Sequence, residues 1–436
     1  MKRIQNRSAA ALLLAAVVFA LLCFFVVRLA VRGGDWAAYS ANKHIYENGV
    51  LRGGTITDRN GVPLVTVKDG KYTYAEDSAV RCASLHALGD HRGYIGSGAL
   101  SLFAKNVGGY SFVNGTPGGE TVTALTLDAE LQAAAWKTLG WRTGSIVVLN
   151  YETGEVLCMA SSPSYDPAWG PEGSGIDGLY INRSIGAAFT PGSVFKLVTL
   201  TAASETIPDL TERRFTCEHE AKIGGGTVHC TGWHGEQTIE QALANSCNCA
   251  FAALANEIGG ETLALYAEKL GVSGALTLDG TETASGRFDI AAPGSLDEAW
   301  SGVGQYNDLV TPYAMARLSA AIANGGEVKE PTLLKGKENG TTRLMDAATA
   351  EFVGDCMNYT VVWSYGKGTF PGLDLCAKTG TAELDDGTTH AWFTGYLRSG
   401  APLAFAVCLE RGGGGLAQAG SAANYVLQKA MEIYTP

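Results

Sequence analysis

Nineteen consecutive apolar residues, Ala9 to Val27, constrain this chain more than any other feature of its sequence. Wound as a helix at 1.5 Å per residue, the run extends about 28 Å, close to the thickness of a bilayer's hydrocarbon core. Lys2, Arg3 and Arg7 precede it, which places the N-terminus in the cytoplasm and the remainder outside. Arg28 and Arg32 follow, where their side chains reach the headgroups, and Trp36 suits the interface. The rival reading is a cleaved signal peptide, whose apolar core runs about 7–15 residues and ends at small residues. This run is longer and ends at Arg28. The expectation is a cytoplasmic tail at 1–8, one uncleaved anchor over 9–31, and a single-pass membrane protein.

The rest of the 436 residues is a folded protein. Charged residues make up 17 % and the hydrophobic set 46 %, unlike a disordered tail. A net charge of −11 argues against a nucleic-acid partner, which calls for a basic face. Between 36 and 120, short strand-like pieces (Gly54–Thr57, Pro63–Val67) alternate with turns such as Asp58-Arg59-Asn60-Gly61. This stretch reads as a small β-rich pedestal or dimerisation-like region, and Gly108 to Gly119 as a linker. Thr126 is placed to cap a helix over Asp128–Leu139. Ser145–Asn150 and Glu155–Ser161 form a hairpin around Glu152-Thr153-Gly154. Helical patterns dominate from Ser193 to Asn324, and strands return at Leu375–Glu383, Ala391–Leu397 and Leu403–Glu410. A helix near Ala419–Met431 closes the chain. The segregated pattern predicts an α+β fold, one antiparallel sheet with helices packed against it; the strand order does not follow from the pattern.

A serine stands three residues before a lysine at Ser40/Lys43, Ser193/Lys196 and Ser364/Lys367, and only context separates them. Ser40 adjoins the membrane, and Ser364 sits beside Gly366 and Gly368, a poor helix. Ser193 follows Thr190-Pro191-Gly192 and opens the apolar run Val194–Leu200, so Thr190 is expected to cap and Pro191 to occupy the first helical position. A serine in that first turn has a free backbone N–H beside the positive helix end, which an oxyanion needs. Lys196 shares its face and can act as base once burial or a neighbouring cation makes its amine neutral. Ser246-Cys247-Asn248 interrupts a helical stretch and offers a second hydroxyl and an amide. Lys378-Thr379-Gly380-Thr381 lies on a strand, where the lysine is that cation and the glycine admits an extended peptide.

These three motifs, in this order, resemble the serine acyl-transferases that react with penicillin. The likeness extends to Arg52-Gly53-Gly54-Thr55-Ile56-Thr57-Asp58-Arg59-Asn60-Gly61, Thr126-Leu127-Asp128, Ser161-Ser162-Pro163-Ser164-Tyr165-Asp166-Pro167, Gly304-Gln305, Thr311-Pro312 and His390-Ala391-Trp392-Phe393. It implies a class B penicillin-binding protein, a monofunctional D,D-transpeptidase resembling the short Gram-positive members, with the transpeptidase domain over 121–436. About 85 residues separate anchor and linker, too few for a glycosyltransferase domain. By resemblance Ser193 is the acylated nucleophile, Lys196 its base, and Ser246 the proton relay to the leaving D-alanine. Asn248 holds the donor peptide. Lys378 tunes the electrostatics, Thr379 and Thr381 face the substrate carboxylate with Gly380 between them, and the N–H groups of Ser193 and Thr381 form the oxyanion hole. One departure is Tyr306, where the family usually has a second glycine after Gly304-Gln305.

The implied partners are peptidoglycan stem peptides on lipid-linked glycan, β-lactams bound covalently, a membrane glycan polymerase, and division or elongation proteins; no cofactor is implied. A membrane-anchored serine β-lactamase and a β-lactam sensor are the alternatives, and a D,D-carboxypeptidase activity would use the same site. Cys217, His219, His229, Cys230 and His234 suggest zinc, yet twelve residues separate the two cysteines, unlike the short knuckles of structural zinc. The family carries a cysteine pair at these two places. A Cys217–Cys230 disulfide, or a pair of thiols, is therefore expected in preference to a metal.

Overall fold

The computed structural model describes residues 1–37, 46–47, 50–51, 53–68, 70–108, 121–171, 175–366 and 368–435. The Ser40/Lys43 pair, Lys367, Arg52 and nearly all of the Gly108–Gly119 linker lie outside them. The chain divides into two compact units: Met1–Thr57 with Val65–Tyr74 and Phe103–Thr123, and Asp58–Leu64 with Ala75–Leu102 and Ala124–Pro436.

In the smaller unit one helix runs from Lys2 to Ala37. Leu12, Leu13, Phe19 and Phe24 are each more than 60 % exposed along it, an apolar surface that water would not tolerate and lipid would cover. Among the described residues it is the one helix long and apolar enough to cross a membrane. The unit also carries a four-stranded sheet in the order Lys71–Tyr74, Pro63–Lys68, Gly53–Thr57, Val122–Ala124.

The larger unit is built on a five-stranded antiparallel sheet of β1 (Gly144–Asn150), β2 (Val156–Ser162), β3 (Leu375–Glu383), β4 (Thr389–Leu397) and β5 (Leu403–Leu409). Its order is β3-β4-β5-β1-β2, so the late meander joins the early hairpin through β5 and leaves β3 as an open edge. Alternation along β4 divides the two faces. Phe393 points into the main core with Ile146, Phe405, Leu131 and Leu427, beneath helices Ala129–Leu139 and Ser421–Tyr434. Thr394, one residue on, faces the buried helix Pro312–Ala323, where its hydroxyl meets Ser319 Oγ at 2.9 Å. The α+β expectation of one antiparallel sheet covered by helices holds.

Asp128, rather than Thr126, caps the helix Ala129–Leu139. Its Oδ1 accepts the N–H groups of Glu130 and Leu131 at 3.1 and 3.0 Å. Thr126 lies too far from the first turn, and its hydroxyl reaches the carbonyls of Val156 and Thr332 instead. The Asp58-Arg59-Asn60-Gly61 turn belongs to this cap. Asp58 Oδ1 accepts from Asn60 N and Val62 N, its Oδ2 accepts from Ala129 N, and Asn60 Nδ2 donates to Asp128 Oδ2. The Ser-Pro-Ser-Tyr-Asp stretch has a similar role. Asp166 takes a two-pronged bond from Arg81 (2.8 and 2.6 Å), holding the helix Ser78–Leu88. Asp128→Ala should therefore cost about 2 kcal/mol in chemical denaturation of the full chain; a change under about 0.5 kcal/mol would contradict the cap.

Candidate active site

Ser193 sits in a single 3-10 turn, Gly192–Val194, that leads into the helix Lys196–Thr206. This differs from the expected position in a capped α-helical turn. Neither the turn nor the helix has a side-chain cap, and the Thr190 carbonyl instead accepts the indole N–H of Trp392 on β4 at 2.9 Å. The reason lies at Gly192, whose φ is +54° and whose N–H donates to Gly304 O. A Cβ there would stand 2.9 Å from Thr381 O, so glycine meets both the backbone angle and the approach to β3. Gly380 answers from the strand, since a Cβ on it would lie 2.6 Å from Pro191 O. The serine turn and the Lys378-Thr379-Gly380 strand thus close on each other through two positions without side chains.

Ser246 provides the third wall. Helices Ile239–Ala244 and Asn248–Ile258 break around it, as the sequence suggests, and it adopts φ +50°, a strained angle for serine. Ser193, Ser246, Asn248, Thr379 and Thr381 line one cleft of about 620 Å³. Beneath it lie Lys196 and Lys378, both fully buried. Lys196 Nζ donates to Ser246 O (2.6 Å), Ser246 Oγ (3.2 Å) and Asn248 Oδ1 (2.8 Å). Lys378 Nζ reaches Ser246 Oγ at 3.0 Å and Thr379 O at 3.0 Å. Two lysines thus share one hydroxyl. Among the described residues no hydrogen bond joins Ser193 to Lys196, and catalytic hydrogen bonds are often long in the absence of substrate.

Burial pushes the Lys196 amine down to about 8. Burial, reinforced by Lys196, holds Lys378 well below its usual value. Both amines therefore lose their protons more readily than an exposed lysine, and the deprotonated form can act as a base. Asn248 is fixed at both ends, accepting from Lys196 and donating from Nδ2 to His229 O at 3.0 Å, and keeps one N–H for a ligand.

The open edge of β3 supplies the rest. Tyr365 OH accepts the Thr379 N–H at 2.8 Å, so this N–H points away from β4. Thr381, two residues on, aims its N–H the same way. Thr381 Oγ accepts from Gly415 N, and Thr379 Oγ lies 3.0 Å from Tyr365 OH. Thr381, which accepts from Gly415 N, keeps its O–H proton to donate. Tyr365 carries no sequence signal, as it belongs to a π-helical turn, Val361–Gly366. Trp300, Val303, Thr231 and Glu383 also line the cleft without a motif to mark them, beside Gln305. Ser364 lines a different cleft, with His234 and Trp363. The Cys217–Cys230 disulfide is not formed: all ten cysteines are free thiols, and Cys230 lines the active cleft.

Residues 144–432 match the family model described as the penicillin binding protein transpeptidase domain. A peptidoglycan D,D-transpeptidase from Mycobacterium tuberculosis is 30 % identical over 366 residues, 74 % of this chain and 73 % of that one. The crystal structure of the D,D-transpeptidase domain of a peptidoglycan glycosyltransferase from Eggerthella lenta superposes with a TM-score of 0.75. It is 26 % identical and covers 88 % of this chain and 99 % of that one. The ceftriaxone acyl-enzyme of penicillin-binding protein A from M. tuberculosis shares the fold, with a TM-score of 0.75 at 24 % identity over 87 % of this chain and 98 % of that one.

Tyr306 adopts φ +65°, which explains why a glycine suits that position. Tyr306→Gly should leave stability equal or about 1 kcal/mol higher in thermal denaturation, by relief of left-handed strain. A loss above about 1 kcal/mol would show that the tyrosine side chain's contacts outweigh the strain.

Proposed function

The chain belongs to the penicillin-binding protein transpeptidase family, as a class B peptidoglycan D,D-transpeptidase, and from that premise we propose how its own residues carry the reaction. Neutral Lys196 removes the Ser193 proton, and Ser193 Oγ attacks the penultimate D-alanine carbonyl of a stem peptide. The oxyanion forms between the backbone N–H groups of Ser193 and Thr381, preorganised donors at a turn and a strand edge. Ser246, in contact with both lysines, passes a proton to the departing D-alanine amine. Asn248 holds the donor peptide, and the Thr379 and Thr381 hydroxyls hold its terminal carboxylate across Gly380. An amine of a second stem peptide then resolves the ester and leaves a cross-link. The observation that carries this reading is the pair of buried lysines meeting at one serine hydroxyl in the cleft that holds another.

β-Lactams, which mimic the D-alanyl-D-alanine end, would acylate Ser193 as a dead-end ester. The helix Lys2–Ala37 would anchor the protein with its N-terminus in the cytoplasm, directed by Lys2, Arg3 and Arg7. In this reading the pedestal is drawn from 36–120, of which 58–64 and 75–102 join the compact unit of the catalytic domain over 121–436. A transpeptidase of this kind acts on nascent glycan, so a membrane polymerase working with the division or elongation machinery is the partner it calls for.

Mass spectrometry of the full chain after penicillin treatment should find one long-lived adduct on the Ser193 peptide. Ser193→Ala should abolish it, while Ser40→Ala and Ser364→Ala retain it. Rapid turnover of the drug would favour the β-lactamase alternative. The acylation rate should rise roughly tenfold per pH unit below about 8 and level off above, because the reacting base is the deprotonated form of Lys196. A flat profile from pH 6 to 9 would exclude Lys196 as the base.

A further inference from the structure

A second cleft, of about 310 Å³, opens beside the Ser246 wall and takes no part in the acyl transfer. Its volume falls within the range of small-molecule sites, about 300–1,000 Å³. Trp363 lines it, 71 % exposed, with one face stacked on Tyr359 at a ring separation of 5.5 Å and the other left open. Three side-chain amides, Gln237, Gln241 and Asn245, share the lining. We propose that this cleft binds an N-acetylated sugar ring, and that it holds the glycan strand whose stem peptide enters the catalytic cleft next to it. The second clause rests on the transpeptidase reading; the first stands without it.

The amides are set for a ligand. Gln237 is only 2 % exposed, and among the described residues its Nε2 has no hydrogen-bond partner. A buried amide N–H left unpaired is costly, and an acceptor on a ligand removes that cost. Gln237 Oε1 accepts from Asn245 Nδ2 at 3.0 Å, which orients both amides and leaves Asn245 Oδ1 to accept. Gln241 spends its Oε1 on the Thr238 N–H at 2.9 Å, in a capping box, and keeps its own N–H donors. A pyranose asks for this combination. Its C–H face packs on an indole, and its hydroxyl and acetamido groups exchange hydrogen bonds with planar amides. Among the described residues no lysine or arginine lines the cleft, so its chemistry does not suit a phosphate or a carboxylate. Trp363 is presented by the π-helical turn Val361–Gly366, an irregularity that helices often keep for function.

The same chain segments border both clefts. Asn245 lines one and Ser246 the other. Ser364 lines the first, while the Tyr365 hydroxyl accepts the Thr379 N–H at 2.8 Å in the second. Consecutive Cα atoms stand about 3.8 Å apart, so at both places the dividing wall is thin. An extended stem peptide gains about 3.5 Å per residue and crosses such a wall with a few residues. A sugar seated on Trp363 would thus deliver its peptide to the open edge of β3.

The test uses the full chain in a detergent without sugar head groups. Isothermal calorimetry with chitotetraose, a short chain of N-acetylglucosamine, should show saturable binding. Cellotetraose, which lacks the acetamido groups, should bind about tenfold more weakly. Trp363→Ala, at an exposed position that the fold does not need, should weaken chitotetraose about tenfold or more. Gln237→Met keeps the side chain's length, removes its N–H groups and should weaken binding about tenfold. In cross-linking assays Trp363→Ala should also remove the KM advantage of glycan-borne stem peptide over free peptide. Failure of penicillin to acylate the unaltered chain would defeat the transpeptidase reading and leave sugar binding standing. Absence of chitotetraose binding, equal affinity for the two sugars, or affinity unchanged in both variants would overturn the proposal. So would binding of free stem peptide that Trp363→Ala abolishes, which would make the cleft a peptide site.

Discussion

Two lysine side chains, fully removed from water, meet at one serine hydroxyl, and the arrangement of this site follows from that placement. Moving the Lys196 amine from its usual value to about 8 corresponds to roughly 3 kcal/mol against the charged form. The fold bears that cost by supplying acceptors, with Ser246 O, Ser246 Oγ and Asn248 Oδ1 around one ammonium and Thr379 O beside the other. Such a pair has little value as a structural cross-link, because burying like charges destabilises. In the reaction proposed above, its use is a proton that moves among Lys196, Ser246 and Lys378.

Holding the lysines there requires three separate chain segments to converge, and glycines set the closest approaches. A Cβ on Gly192 would press on Thr381 O, one on Gly380 would press on Pro191 O, and neither contact leaves room for a methyl group. Trp392 pins the same junction from the next strand through Thr190 O. The strand β3 is an edge on this side, so its N–H groups face the cleft rather than a neighbouring strand. An edge strand is a liability in most sheets; here it is the surface on which a peptide can be laid as a further strand.

Much of this was legible in the sequence because it lies in short motifs with local meaning. The three late strands, the early hairpin, the helix break at Ser246 and the lysine on a strand all emerge where pattern and turn chemistry place them. The misplaced features depend on distant partners. Thr126 looks like a cap until the strands that claim its hydroxyl are in place, and Asp128 beside it takes the role. Residues 58–64 and 75–102 read as continuous with the pedestal, yet Asp58 bonds to Ala129, Asn60 to Asp128 and Arg81 to Asp166, far along the chain. Tyr365 orients Thr379 from a π-helical turn that no propensity reveals. Cys217, Cys230 and His234 lie close along the chain, whereas Cys247, a core residue by its sequence, joins them only in the fold.

The central claim is that burial holds Lys196 near neutrality and that the Lys196 charge in turn lowers Lys378. Selective ¹³Cε-lysine NMR of the full chain, titrated from pH 6 to 11, measures it directly. The account predicts one lysine titrating near 8, assigned by its loss in Lys196→Met, and a Lys378 resonance that moves upward when that same substitution removes the neighbouring charge. A Lys196 resonance that titrates with the surface lysines would contradict it.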